Sequence, residues 1–377
     1  MSETPDIRIP TNLLPSDGRF GCGPSKVRPE AIAGLAEIAP TYMGTSHRKP
    51  TVKKVVGRLR SSLRTLFDLP ENYEVLIGNG GTTVLWDALT FGLIENKSQH
   101  LGFGEFSSKF AKAAKAAPFL SEPEIISTDP GTHPSPVARE DIDTYALTHN
   151  ETSTGVAMPI QRPEGAKGLV AVDATSAAGG MRVDPRQFDC YYFAPQKCFA
   201  SDGGLWIALV SPAALERIEA IEATKRWIPE SIRLSTAVEN SRLDQTYNTP
   251  SLATIYLMLN QIEWMNDNGG LEWAAQKSEA NSQVLYSWAE QSSYATPFVQ
   301  KPDERSPVVA TIDFNDSIDA VMVSNILRAN GVVDTDSYRK LGRNQIRVAA
   351  FPSIERSDIE ALTQCIDHVV GQLGGAK

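Results

Sequence analysis

Short apolar runs, each closed by Gly, Pro or a charged residue, alternate along the chain with longer stretches of three-four apolar spacing. The alternation predicts strands separated by helices. Strands are expected at residues 73–77, 99–103, 124–127, 144–148, 168–173, 191–194 and 203–210. Between them, Val52, Val55, Val56, Leu59, Leu63, Leu66 and Phe67 keep one helical face until Pro70, residues 84–94 read as a further helix, and 107–117 as a helical or loop stretch. Ser211-Pro212 and Thr249-Pro250 are helix-start signals, with Thr249 as the expected cap of a long apolar helix that Gly269-Gly270 ends. After Gly270 the pattern changes. Strands at 308–314 and 345–350 and helices at 318–329 and 359–373 suggest a smaller α+β unit, its last helix opened by a Ser357 to Glu360 capping box. The fold class is therefore α/β, with a largely parallel sheet covered by helices on both faces and ligands at the carboxyl ends of its strands.

Length and charge refine this picture. At 377 residues and 41% hydrophobic, the chain exceeds the roughly 250–300 residues at which single cores divide. The expected organisation is an extended arm over 1–25 joining the small domain, a large domain over 26–268 and a small domain over 269–377. The formal charge of −9 argues against a nucleic-acid footprint, and acidic ligands would need a local group of arginines. Cys22, Cys190, Cys198 and Cys365 lack CxxC spacing, and the five histidines lack ligand spacing, so neither a disulfide framework nor a zinc site is indicated. The first ten residues contain no apolar signal segment and no apolar run approaches the ~18 residues of a membrane span; a cytoplasmic location is expected.

The chemistry gathers at strand ends. Lys197 follows the 191–194 run directly after Pro195-Gln196, flanked by Tyr, Phe, Ala and Cys. It is either a lysine snorkelling towards water or a partly desolvated amine suited to attack an aldehyde. Asp173 closes the preceding strand, and a lysine with a carboxylate is the pair that pyridoxal phosphate requires. Gly78-Asn79-Gly80-Gly81-Thr82-Thr83, between a strand and a helix start, makes a candidate phosphate cradle, although an ordinary strand-to-helix turn also favours glycine. Phe106 could stack on a flat ring or staple its helix; Asn150 and Thr152 could bind polar ring substituents or simply form a turn. Arg347 lies on the face of its strand opposite Ile346 and Val348, as a solvent-facing residue or a carboxylate clamp, with Arg339, Lys340 and Arg343 just before it. His47 and Arg48 fall in a polar loop and are most simply exposed.

Taken in order, SHR at 46–48, GNGGTT at 78–83, HNET at 149–152, VDATS at 172–176, PQK at 195–197, YNTP at 247–250 and QIRVA at 345–349 resemble the phosphoserine aminotransferase family, in particular its actinobacterial branch. The resemblance spans almost the whole chain. It implies a pyridoxal-phosphate-dependent transferase of fold type I (EC 2.6.1.52), with a seven-stranded, mostly parallel sheet, one cofactor per subunit, and a homodimer with interfacial active sites. By motif, Lys197 would carry the cofactor and Asp173 would hold its pyridine nitrogen. Thr152 would meet the ring hydroxyl and Phe106 would stack where many members have Trp. Gly81, Thr82 and Gln196 would hold the phosphate, completed by Asn248 and Thr249 of the partner subunit. His47, Arg48, Arg339 and Arg347 would bind substrate, Arg347 taking the α-carboxylate. Thr82 stands where some members have an Arg, and Tyr338-Arg339 near where they have His-Arg.

The activity so implied is ping-pong amino transfer from L-glutamate to 3-phosphohydroxypyruvate, giving O-phosphoserine and 2-oxoglutarate in serine biosynthesis, with a related keto acid of pyridoxine biosynthesis as a further substrate. Two rivals stand beside it. One is another enzyme of the same fold, such as an alanine–glyoxylate aminotransferase or a cysteine desulfurase, the latter expecting a mobile catalytic Cys and a His before the lysine, where this chain has Gln196. The other is a non-catalytic phosphate binder, which would use GGTT alone and be colourless.

Overall fold

The computed structural model describes residues 5–374; the first four residues of the arm and the last three of the small domain lie outside it. After the arm come α1 (Pro29–Tyr42) and α2 (Pro50–Leu66). The alternating region follows: β1 (Glu74–Asn79), α3 (Thr82–Gly92), β2 (Ser98–Gly102), α4 (Glu105–Ala116), β3 (Glu124–Ser127) and β4 (Thr144–Thr148). A small hairpin, β5 (Asn150–Glu151) and β6 (Val156–Ala157), precedes β7 (Leu169–Asp173), β8 (Cys190–Phe193) and β9 (Leu205–Val210). Helices α5 (Pro212–Ala223), α6 (Leu234–Arg242) and α7 (Leu252–Asp267) complete this part. The seven long strands form one sheet in the order β1-β9-β8-β7-β4-β2-β3. Only β9 is reversed, because it runs antiparallel to both β1 and β8 while the other pairings are parallel.

Period-two alternation builds a core on each face. Val170, Val172, Tyr191 and Phe193 point into one cluster with α2 and α7 residues such as Leu59 and Ile255. Leu169, Ala171, Cys190 and Tyr192 point into the other, with Leu85, Trp86 and Leu89 of α3. Asp173 continues the second series, which sets it beside Trp86. Because six strands run the same way, Asn79, Gly102, Thr148, Asp173 and Phe193 all end along one edge of the sheet.

The C-terminal part consists of α8 (Gly270–Gln291), β10 (Ala295–Pro297), β11 (Val309–Phe314), α9 (Ala320–Ala329), β12 (Gln345–Ala349) and α10 (Arg356–Gln372), with β10-β11-β12 antiparallel. The arm is fastened to it. The Phe20 N–H donates to the Val333 carbonyl at 3.2 Å, and the Ala349 N–H to the Phe20 carbonyl at 3.0 Å.

Two helix-start expectations are corrected. Ser251, not Thr249, caps α7, its hydroxyl accepting from the Thr254 N–H, while the Thr249 carbonyl accepts instead from Asn79 Nδ2 at 3.2 Å. Ser357 lies inside α10 rather than capping it, and Asp358 of the first turn spends its Oδ1 on the Ser16 N–H of the arm at 2.9 Å. The glycine turn is as tight as its composition suggests. Gly78 faces Trp206 across the β1-β9 pair, and a Cβ there would overlap the indole. Gly78→Ala is therefore expected to lower unfolding free energy by about 1–3 kcal/mol, the usual cost of overpacking. Denaturant midpoints with an unchanged slope would show it; an unshifted midpoint would mean that Trp206 can move aside freely.

Candidate active site

Pro195 ends β8, and the chain turns so that Lys197 points back over the strand edge, 7% exposed. Its Nζ donates to Thr152 Oγ1 at 2.9 Å; that hydroxyl donates to Ser176 Oγ at 2.8 Å, which in turn donates to the Asn150 carbonyl at 3.1 Å. The relay fixes Thr152, leaving it able to accept from the amine. Burial, reinforced by the nearby Arg347 guanidinium, lowers the Lys197 pKa to about 8. The lysine is thus the desolvated amine rather than the snorkelling one.

Behind it stands the segment from Cys22 to Ser25. Ser25 donates through its Oγ to the Lys197 carbonyl at 2.6 Å and through its N–H to the Gln196 carbonyl at 2.9 Å. Gly23, at φ +129°, lies so close that a Cβ would stand 2.9 Å from Lys197 Cε. Only glycine leaves the lysine room there.

Asp173 lies across a cavity of about 240 Å³, and among the described residues no lysine ammonium comes within 4.0 Å of it. Its Oδ1 accepts from the Thr175 N–H at 2.9 Å and its Oδ2 from Trp86 Nε1 at 3.2 Å. Burial pushes its carboxyl pKa up despite these donors, so a cation arriving in the cavity would be welcome to it. The same cavity is lined by Gly81, Thr82, Phe106, Thr152, Gln196 and Lys197.

These residues fit a flat, phosphorylated pyridine aldehyde. Nothing lies within 4 Å of a Cβ placed on Gly81, and the first amides of α3, at Thr82 and Thr83, face that space without intrahelical acceptors. Gln196 Oε1 is buried and unpartnered, and a half-turn of the amide would present its N–H groups to the same place. The Phe106 ring lies 5.5 Å from Lys197 Nζ and lines the same cavity. At the same time it packs against the apolar cluster under α3 and α4, so stacking surface and helix anchor are one residue.

The proposed substrate residues fall into two groups. Arg347 is half-buried beside Lys197; its Nη1 donates to the Thr152 carbonyl at 3.1 Å, while its Nε is buried without a partner. Arg339 is exposed in the preceding loop. His47, Arg48, Asn248 and Thr249 do not line this chain's own cavity. The loop expectation for His47 is corrected: the ring is 8% exposed, held beside the Thr246 backbone, and burial with the Arg48 charge lowers its pKa. Arg48, Asn248 and Thr249 are exposed nearby, the Thr246 hydroxyl donating to the Asn248 carbonyl at 2.5 Å. Among the described arginines, Arg48, Arg64, Arg226, Arg339 and Arg347 have no carboxylate within 4.0 Å. Arg64 and Arg226 are taken up by backbone carbonyls. The other three are the motif arginines.

Four site residues escaped sequence reasoning. Gly23 and Ser176 carried only turn signals, Trp86 only an apolar helical position, and Tyr338 was noted without a role. A larger cavity, about 690 Å³, opens around His133, Met158, Glu304 and Arg305, and holds neither the lysine nor the motif arginines.

A model of the class-V aminotransferases matches residues 134–335. The phosphoserine aminotransferase of Rhodococcus jostii is 59% identical over 99% of this chain and 100% of its own length, and that of Corynebacterium glutamicum 57% identical over 96% of each. Among solved structures, a phosphoserine aminotransferase from Cytophaga hutchinsonii superposes with a TM-score of 0.84 at 25% identity, covering 93% of this chain and 99% of that one. The fold is that of the pyridoxal-phosphate-dependent type I aminotransferases. On full-length identity and on architecture alike, the chain belongs to the class-V aminotransferases and, within them, to the phosphoserine aminotransferase family.

Proposed function

We propose that the enzyme transfers the amino group of L-glutamate to 3-phosphohydroxypyruvate, with pyridoxal phosphate, one per subunit, in the Lys197 cavity. The observation that carries this reading is the unmatched cation Arg347, with its buried Nε free, set beside the lysine on the far side of Thr152. A planar carboxylate satisfies such a fork with two hydrogen bonds. Arg48 and Arg339, equally without carboxylates, would serve the second anionic group, which is a carboxylate in glutamate and a phosphate in the keto acid. The phosphorylated keto acid of pyridoxine biosynthesis presents the same two groups, and the reading extends to it.

When bound, pyridoxal phosphate supplies a sink for the electrons released as a substrate Cα–H bond breaks. The chain's residues do the rest. Gly81, Thr82 and Gln196 would hold the phosphate; Phe106 would cover one face of the ring, Thr152 Oγ1 would meet its hydroxyl, and Asp173 would keep the pyridine nitrogen protonated. Lys197 Nζ, released towards Thr152 and Arg347, accepts the proton from the substrate Cα and later returns one, the work of a general base whose pKa lies near neutrality. All four cysteines are buried, which leaves the desulfurase alternative without a mobile thiol.

Two further elements complete the reading. Asn248 and Thr249 are exposed beside the β1 turn and do not line this chain's cavity, which supports a reading in which they would reach a partner's phosphate in a homodimer, with His47 and Arg48 at the shared face. The division into arm (1–25), large domain (26–268) and small domain (269–377) follows the change from parallel to antiparallel sheet and the arm's hydrogen bonds to β12. A cytoplasmic location is proposed on the same footing; among the described residues no helix is long and apolar enough to cross a membrane.

A half-reaction assay tests the substrate claim. Glutamate should bleach the yellow absorbance of the holoenzyme, and 3-phosphohydroxypyruvate should restore it at far lower concentration than pyruvate; equal response to both keto acids would remove the phosphate from the reading. The lysine makes a separate prediction. In cofactor-free protein, the rate of Lys197 labelling by an amine-reactive reagent, followed by peptide mapping, should rise with a midpoint near pH 8, because burial penalises the ammonium form. A midpoint at the ordinary lysine value of 10.5 would show the amine to be solvated.

A further inference from the structure

Arg347 is poorly fastened for a residue asked to present a planar fork. Beyond the hydrogen bond to the Thr152 carbonyl at 3.1 Å it has no side-chain partner among the described residues, and a long side chain held at one point can sweep its guanidinium through a wide arc. What limits the arc is an aromatic ring. Arg347 Cζ lies 5.3 Å from the centre of the Tyr338 ring, within the ~6 Å over which a ring face attracts a cation.

Tyr338 is itself held from both sides. Its ring lies 5.7 Å from that of Phe106 at 57°, and Phe106 faces Lys197 Nζ, so the two rings link the arginine to the lysine. Two residues on, Lys340 ion-pairs with Glu105, the first residue of α4, whose N–H donates to Ser153 Oγ at 3.1 Å. On the other flank, the Arg347 N–H donates to the Thr335 carbonyl at 3.0 Å and Asp336 bridges Ile346, which fixes the start of the loop against β12. The Tyr338 hydroxyl makes no hydrogen bond among the described residues; the phenyl face alone touches the site.

We propose that Tyr338 is a positioning residue for the α-carboxylate, an aromatic shelf that holds the Arg347 guanidinium in the plane where it grips that group. The proposal rests on the reading of Arg347 as the α-carboxylate clamp. It makes the loop between α9 and β12 a determinant of affinity through the ring face rather than through a hydroxyl contact to ligand. Since glutamate and the keto acid share an α-carboxylate, both should lose affinity together when the shelf is removed, while the proton transfers at Lys197 proceed as before.

The test uses holoenzyme carrying Tyr338→Phe, Tyr338→Leu or Arg347→Lys, with kcat and KM measured for both substrates and the dissociation constant of glutarate, an unreactive dicarboxylate, read from the cofactor spectrum. Loss of a partly desolvated cation–ring contact corresponds to roughly five- to thirtyfold in affinity. Tyr338→Leu should raise both KM values within that range with kcat little changed, and Tyr338→Phe should restore them to within about twofold of the parent, because the face is retained. The proposal is overturned if Tyr338→Leu leaves both KM values unchanged, if only one substrate responds, or if Tyr338→Phe loses as much as Tyr338→Leu. Arg347→Lys separates the two claims. If it raises both KM values while Tyr338→Leu does not, the shelf alone is wrong; if it too changes nothing, the carboxylate clamp itself is wrong.

Discussion

Everything in this structure turns on keeping one lysine amine out of water without neutralising it through a carboxylate. A buried ammonium is costly, and the cheap remedy, an adjacent acid, would give an inert ion pair. Here the amine meets a hydroxyl, Thr152, and the acid that could have paired with it, Asp173, is held across the cavity by the Thr175 amide and the Trp86 indole. Lysine and acid are each left unsatisfied in the way a cofactor between them would relieve. The sheet makes this possible, since parallel strands deliver Thr148, Asp173 and Phe193 to one edge and the residues that follow them converge.

The same constraint explains the wrapping of the arm. A lysine with open space behind it could turn back to solvent; the Cys22 to Ser25 segment closes that route, its Ser25 fastened to the Lys197 carbonyl and its Gly23 set against the side chain. Because the arm also bonds to β12 through Phe20, the strand that carries Arg347 and the turn that carries Lys197 are braced by one short stretch of backbone. On the proposed roles, the residue that would bind substrate and the one that would move the proton share a single main-chain brace.

The strand positions and the chemistry at their ends, Lys197, Asp173 and the glycine turn, were legible because each depends on local pattern: period-two apolar runs, a breaking proline, glycines before a helix. The misreadings have the opposite character. Thr249 and Ser357 both carry sound capping chemistry, yet Ser251 caps α7 two residues on and α10 already begins at Arg356, while the Thr249 carbonyl and the neighbouring Asp358 carboxylate are held by the distant Asn79 and Ser16. His47 sits in a polar stretch and is nonetheless buried, because Thr246, far along the chain, closes over it. Trp86 reads as one more apolar helix position, and nothing local says that its N–H faces a carboxylate. What Gly23 and Tyr338 touch is likewise set by tertiary placement, and no spacing rule reaches that far.

The central claim is that Lys197 is the residue that binds and serves the cofactor. Borohydride reduction of the yellow holoenzyme, followed by proteolysis and mass spectrometry, tests it most directly. The account predicts a pyridoxyl phosphate adduct on the peptide containing Lys197 and on no other; an adduct on any other lysine, or a protein that takes up no cofactor, would contradict it.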